Sequence, residues 1–590
     1  MKKYSKAFRV TLLFIVTFLF LQEFNAYHFY YIEQFQLFRT TFLYFLDSVF
    51  HPGGFMEYLS HFLVQFFIVP YLGAAIETIA LLFIFIISSK LFLRQEKSKL
   101  FFIAPATVFL SCLFTCFNFN IFFQGLLSFL LCIYCLHIFI SAKDSLLRNI
   151  FVFVTVPLLY WLAGPVSVLF AVCFFLNELF TGENKKRIGW LFLPVFACLV
   201  SWLAVRLSFT GSFRAGFLPD MYYQTKLSPP FLIYIPWLLL LIWISVATFL
   251  PKFNFSGKKS YRAIGIGIQF LLLILFFWQG IVNFGDRASY EVKKLDYYAR
   301  NCQWDRIITA SEGKNMHNYL HINYLNLALA EKGCLLEKMF RFNQKGTSSL
   351  EVSRQRNNIL SALMSDINFS IGDIASSQRY AFEGYETSSG GGSGRLLKRL
   401  VQTNLIYGEY AIAEKYIRIL ERTLLYRKWA TSQRQFLYND SLCRKDPLLG
   451  EKIKCLPPRD GREFTTGGPE TLKVLTDINP ANKTAQDYFF AYLLLSKDMK
   501  FFSDFFSQYE QKGMLPSQLS EPVQQALLMC YESQSGIWKE KGISEKTIGQ
   551  YKAYKFLFMK CRNNPDKKEI MQKEFASTYW FYFQFINIEK

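Results

Sequence analysis

The first half of the chain is a succession of apolar runs separated by short polar connections, and the second half alternates apolar and polar positions at helical spacing. Nine runs approach the ~20 residues that a helix needs to cross a hydrocarbon core about 30 Å thick. They are 8–24, 71–92, 100–117, 121–141, 149–162, 166–180, 188–207, 230–250 and 263–282. The fifth and sixth are short and meet at Gly164-Pro165, which predicts a hairpin that stops short of a full crossing. Between the first two runs, across 28–69, the pattern changes. Tyr31, Phe35, Phe38, Phe42, Phe45, Leu46 and Val49 form an apolar stripe, with Glu33, Gln36, Thr40, Tyr44 and Asp47 opposite. A helix divided in this way lies in the membrane interface and does not cross it. His51-Pro52-Gly53-Gly54 breaks the helix, and a second begins near Phe55 and stops at Pro70.

From Gly285 to Lys590 the chain is polar, helical in period, and long enough to bury its own core. Ala413, Tyr416, Ile417, Leu420 and Leu424 fall on one helical face, and a second helix precedes them at 395–407. Gly408-Glu409-Tyr410-Ala411-Ile412-Ala413 joins the two. Looser versions of this junction occur at Gln303-Trp304-Asp305, Gly333-Cys334-Leu335, Gly372-Asp373-Ile374 and Lys497-Asp498-Met499. The G-x-Y-x-x-A turn resembles the bend inside a tetratricopeptide repeat, whose period is ~34 residues. The resemblance implies a helical array with a surface for a protein partner. Residues 437–480, rich in Pro, Gly and charge, read as an irregular excursion, and 388–394 as a flexible connector. The expected architecture is all-α, with an integral membrane domain at 1–284 and a tetratricopeptide-like domain at 285–590.

Charge then fixes the topology. Of the 21 Lys and Arg residues in the first 280 positions, 17 fall on one side when the nine runs are threaded alternately. Lys2, Lys3, Lys6 and Arg9 precede the first run. Lys90, Arg94, Lys97, Lys99, Lys143, Arg148, Lys185, Lys186, Arg187, Lys252, Lys258, Lys259 and Arg262 occupy alternate connections. By the positive-inside rule the N-terminus is cytoplasmic, and an odd number of spans leaves the C-terminal domain outside a plasma (inner) membrane. The sequence after the first run offers no small-x-small cleavage site, so that run reads as a retained anchor. The first 280 residues contribute +11 of the net +21, largely through cytoplasmic loops that face anionic lipid. The remaining basic residues form no stripe, which argues against nucleic acid as a partner.

Candidate chemistry gathers in 28–69. Asp47, His51, Glu57 and His61 lie within 15 residues around the Pro-Gly-Gly corner, and Glu77 follows two turns into the second run. An acid in lipid is costly unless it faces the bundle interior. An anchor, an external loop of two interfacial helices with a carboxylate, further spans and an outer C-terminal domain together resemble the C-type (GT-C) membrane glycosyltransferases. That resemblance implies a polyprenyl-phosphate-sugar donor, with Asp47 as general base and Glu57 as its partner or a metal ligand. It also implies that Arg206 and Arg214 grip the donor phosphate, with His51, His61, Glu77 and Asp220 lining the substrate site. The family's Asp-x-Asp or Glu-x-Asp pair is absent, so no motif specifies a divalent metal and the cofactor stays open. The alternative is a non-enzymatic scaffold. Pro52-Gly53-Gly54-Phe55-Met56-Glu57-Tyr58-Leu59 and Asn479-Pro480-Ala481-Asn482-Lys483 also resemble a group of uncharacterised bacterial multi-pass proteins with a helical-repeat tail.

Overall fold

The computed structural model describes residues 2–93, 102–142, 146–181, 188–207, 209, 211–249, 259–314, 316, 318–352, 358–388, 392–457, 468–516 and 518–588. Arg94, Lys97, Lys99, Lys143, Lys185, Lys186, Arg187, Lys252 and Lys258, on which the expected topology rests, lie outside these residues. So do positions 389–391 of the connector. The described chain is all-α, with a single isolated β-bridge between Ile121 and Tyr223. It divides into two compact units: Met1–Lys293 with Ser389–Gly391 and Arg422–Leu425, and the remainder.

The first unit holds α1 (Lys2–Glu33), α2 (Phe42–Val49), α3 (Gly54–Val64), α4 (Leu72–Phe92), α5 (Ile103–Thr115), α6 (Phe123–Ser141) and α7 (Leu146–Ala163). It continues with α8 (Val166–Thr181), α9 (Phe192–Arg206), α10 (Phe213–Phe217), α11 (Ile235–Phe249) and α12 (Lys259–Phe284). All nine apolar runs are helical. Among the described residues six helices are long and apolar enough to cross a membrane: Ala7–Glu33, Leu72–Phe92, Phe123–Ser141, Leu146–Ala163, Gly189–Arg206 and Ala263–Phe284. The other three, Ile103–Thr115, Val166–Phe180 and Phe231–Ala247, are shorter. Only one arm of the predicted hairpin is therefore short, because α7 starts three residues before its apolar run. Helix α8 packs on α6, α7, α9 and α11. Its Ser167, Ala171 and Cys173 are fully buried, and side chains this small let neighbouring helices approach where lipid supplies no hydrophobic drive. Ile264, Ile268, Leu271, Leu275 and Trp278 of α12 are by contrast exposed.

One predicted element is divided. The interfacial helix read from Tyr31 to Val49 is two pieces, since α1 continues to Glu33 and α2 starts at Phe42. Thr41 makes the break by capping α2, its hydroxyl accepting from the Tyr44 N–H at 3.3 Å. Thr40 donates both its N–H and its hydroxyl to the Arg422 carbonyl, at 2.7 and 3.0 Å. The stretch between the helices still buries Phe35, Leu37 and Phe38.

The second unit continues from α13 (Arg287–Arg300), whose last turns belong to it, into α14 (Trp304–Ser311), α15 (Tyr319–Glu331) and α16 (Leu335–Lys338). Then come α17 (Asn358–Ile371), α18 (Ile374–Thr387), α19 (Gly394–Tyr407), α20 (Tyr410–Glu421) and a further set of short helices to Phe585. Successive helices α17 to α20 pack pairwise. Four of the five anticipated junctions contain a left-handed residue, Gly333 (φ 64°), Gly372 (96°), Gly408 (74°) and Lys497 (58°), and Cys302 (53°) directly precedes the fifth. Helix α20 buries Ala413, Tyr416, Ile417 and Leu420 as its period predicts, but it ends at Glu421, so Leu424 is half exposed. The excursion at 437–480 is more ordered than its composition suggests. Asn439 and Asp446 cap the short helices Asp440–Lys445 and Pro447–Ile453, and 458–467 lie outside the described residues. All twelve cysteines are free, Cys443 and Cys455 included.

A buried ionic cluster ties this unit together. Arg395 meets Asp296 at 2.6 Å and also Asp366, and Arg399 meets Asp366 at 2.8 Å. Tyr324 donates to Asp296 at 2.7 Å. Removing one member strands a buried charge, which costs about 3–5 kcal/mol. Arg395→Met is therefore expected to lower the unfolding midpoint of this unit clearly in denaturant titration. An unchanged midpoint would show the cluster to be dispensable.

Candidate functional site

Helices α2 and α3 meet at a corner built from Phe50, His51, Pro52 and Gly53. Gly53 has φ +80°, a region that side chains with a Cβ rarely occupy. Its N–H donates to the Trp161 carbonyl of α7 at 2.9 Å, and its carbonyl accepts from Gln124 Nε2 of α6 at 3.0 Å. The corner is also packed to the limit. A Cβ on Gly54 would lie 1.7 Å from the Ser48 carbonyl oxygen, and one on Gly53 would lie 2.7 Å from the Met221 methyl. Met221 rests in the same way on Gly164, at the turn between α7 and α8. Tyr222 next to it donates to the Ala163 carbonyl, and its own carbonyl accepts from the Phe122 N–H at 2.8 Å. The loop carrying Arg214 and Asp220 thus lies against the corner that carries His51 and Glu57.

On this corner His51 Nε2 and Glu57 Oε2 are 2.8 Å apart, with side chains 37% and 31% exposed. The Asp47 carbonyl also bonds the His51 ring. The Glu57 hydrogen bond and charge, with this carbonyl, raise the His51 pKa above 6.5 against the cost of burial. Burial alone would push the Glu57 carboxyl up, but the bond from His51 and the charges of His61 and His51 outweigh it and hold it below 4.5. The second Glu57 oxygen makes no hydrogen bond among the described residues. His61 is buried, which lowers its pKa despite the charge of Glu57, and its Nδ1 shares a hydrogen bond with the Tyr44 hydroxyl at 2.8 Å.

The remaining sequence candidates separate. The side chain of Asp47 is exposed on α2 and forms no ion pair among the described residues. Arg214 is engaged: Nε meets Asp220 Oδ2 at 3.0 Å and Nη2 donates to the Tyr234 hydroxyl at 2.8 Å, while Tyr234 also donates to Asp220. Arg206 ends α9 exposed, its guanidinium 5.5 Å from the Trp202 ring. Glu77 is buried in α4 against the Cys116 thiol, away from the corner. Among the described residues no three His, Cys, Asp or Glu side chains converge to hold a metal.

Sequence reasoning missed Gln124, Met221, Tyr222 and Tyr234, which lie 50 to 200 positions from the corner, and no local signal marks them. It also missed Lys293, buried 3.0 Å from His28 Nδ1, whose ammonium burial pushes down to about 7. No local signal marks it, since Lys294 stands beside it and Glu291 and Asp296 share the same polar helix.

The model of a family of unknown function (DUF6057) matches residues 2–586. No curated protein and no solved structure matches the chain.

Proposed function

The chain belongs to the DUF6057 family, and we propose that its first unit is a membrane glycosyltransferase. It moves a sugar from a lipid-phosphate carrier to an acceptor hydroxyl on the outer face of the plasma (inner) membrane, with Glu57 as general base. The observation that carries this reading is the His51–Glu57 pair, where one carboxylate oxygen is held at 2.8 Å and the other is unengaged. A base must be fixed and still have a lone pair to offer. The acceptor O–H gives its proton to that oxygen, the acceptor oxygen bonds to the anomeric carbon, and the bond from that carbon to the carrier phosphate breaks. The phosphate leaves as a stable anion and needs no proton.

Arg206 is the cation for that phosphate, because Arg214 is already neutralised by Asp220. Asp47 serves through its backbone by holding the His51 ring. Proteoliposomes supplied with polyprenyl-phosphate sugars and a hydroxyl acceptor test the proposal. Asp47→Asn is expected to keep near-full turnover, and Arg206→Gln to raise the donor KM about tenfold or more. Loss of turnover in Asp47→Asn would move the base back to Asp47, and no transfer from any such donor would remove the reading.

A second reading rests on the pairwise packing of α17 to α20 around the Gly408 turn. It is a membrane-anchored, tetratricopeptide-like scaffold for an envelope partner. Under it, carboxylate changes on α2 and α3 leave partner binding intact.

A further inference from the structure

The second unit contains a cavity of about 410 Å³, bounded by the end of α17, the start of α18 and the helices Pro469–Ile478 and Lys483–Ser496. This lies within the ~300–1,000 Å³ range of small-molecule sites. Its wall mixes aliphatic and polar groups, and the polar ones are of two unmatched kinds. The Tyr488 hydroxyl is buried with no hydrogen-bond partner, and so is the Arg379 Nε–H. Both are donors left unmet. Facing the same space are the carboxyls of Glu351 and Asp373. Glu351 accepts from Tyr380 at 3.2 Å, and Asp373 caps α18 through the Ser376 N–H at 2.9 Å. Each carboxylate has acceptor capacity beyond these bonds.

A ligand that both accepts and donates hydrogen bonds matches this wall, which offers donors at Tyr488 and Arg379 and acceptors at Glu351 and Asp373. Phosphate would bring negative charge against two acids. A quaternary or primary ammonium only donates or carries charge, and leaves Tyr488 and Arg379 unsatisfied. Hydroxyl groups do both. Thr347, Ser348, Ser376 and Thr471 spread further hydroxyls around the wall, and Tyr492 contributes a ring.

We propose that this cavity is a binding site for a neutral polyhydroxylated ligand of mono- or disaccharide size. The site is independent of the transfer chemistry assigned to the membrane corner. Binding is read by saturation-transfer NMR on the full-length protein in lipid nanodiscs free of glycoside detergent. The probes are maltose, N-acetylglucosamine and myo-inositol, with inorganic phosphate, choline and L-alanine as comparators. At least one neutral probe is expected to bind at millimolar concentration or below. Tyr488→Phe, which removes one oxygen, and Arg379→Gln are each expected to weaken it about tenfold, the cost of losing a buried hydrogen bond. Circular dichroism checks that each variant is folded, and either variant alone suffices for the comparison. The proposal is overturned if no neutral probe binds, if only a comparator binds, or if binding is unchanged in both folded variants.

Discussion

Glu57→Gln is expected to lower turnover by about 10²- to 10⁴-fold, the usual contribution of a general base, while leaving the protein inserted and folded. The amide keeps the shape of the side chain and can still bond to His51, but it cannot take a proton. The pH dependence carries a second signature. The Glu57 carboxyl is held below 4.5 and the His51 imidazolium is raised above 6.5, so the charged pair exists in the window between those two shifted values. His51 contributes stability that is complete below 6.5 and is lost as pH rises through its folded value. Glu57 contributes stability that is present above 4.5 and is lost as pH falls through its folded value. The wild-type rate is thus expected to hold within the window between the two shifted values and to fall on both sides of it. In Glu57→Gln the carboxylate no longer supports His51, so the ring should titrate at lower pH by NMR. Wild-type turnover in the variant would remove Glu57 from the chemistry, and an unmoved His51 titration would mean the pair is not formed.

Gly54→Ala is expected to be the most damaging single methyl group in the first unit. Its Cβ would sit 1.7 Å from a backbone carbonyl oxygen of α2, which has no side-chain freedom with which to give way. Relief requires α2 and α3 to part, and overpacking of this kind costs about 1–3 kcal/mol or more. Gly53→Ala should also destabilise, through its positive φ and the Met221 methyl, but there the clash is with the end of a flexible side chain. Thermal melting of the two variants in detergent should place Gly54→Ala lower. The reverse order would mean that backbone strain outweighs the steric overlap.

How much of this was legible in the sequence depends on the range of the interaction. The nine apolar runs, the break at His51-Pro52-Gly53-Gly54 and the five helix junctions are local signals, and each has a helix end or helix body in the structure. The division of the helix read from Tyr31 to Val49 was not legible from periodicity, because Phe35 and Phe38 keep their apolar spacing while the backbone between them is not helical. Thr41 as a capping residue was the overlooked local cue. Within the site, His51 and Glu57 are six residues apart and were readable as neighbours. The pairing of Arg214 with Asp220 was not, since two oppositely charged residues in one loop are as often solvated as joined. What makes Glu57 differ from Asp47 is its burial and its bond to the His51 ring, a property of packing that composition does not encode.

The tethering of Gly53 also affects the corner's dynamics. Connections between helices ordinarily exchange their amide protons quickly, because water reaches them without any wider opening. Here one residue commits its N–H to one helix and its carbonyl to another. Exposing either group requires α6 and α7 to loosen, so this stretch shares the lifetime of the bundle and not that of a surface loop. The carboxylate it carries is thereby mounted on a stretch that opens only with the bundle, although by sequence it follows a turn.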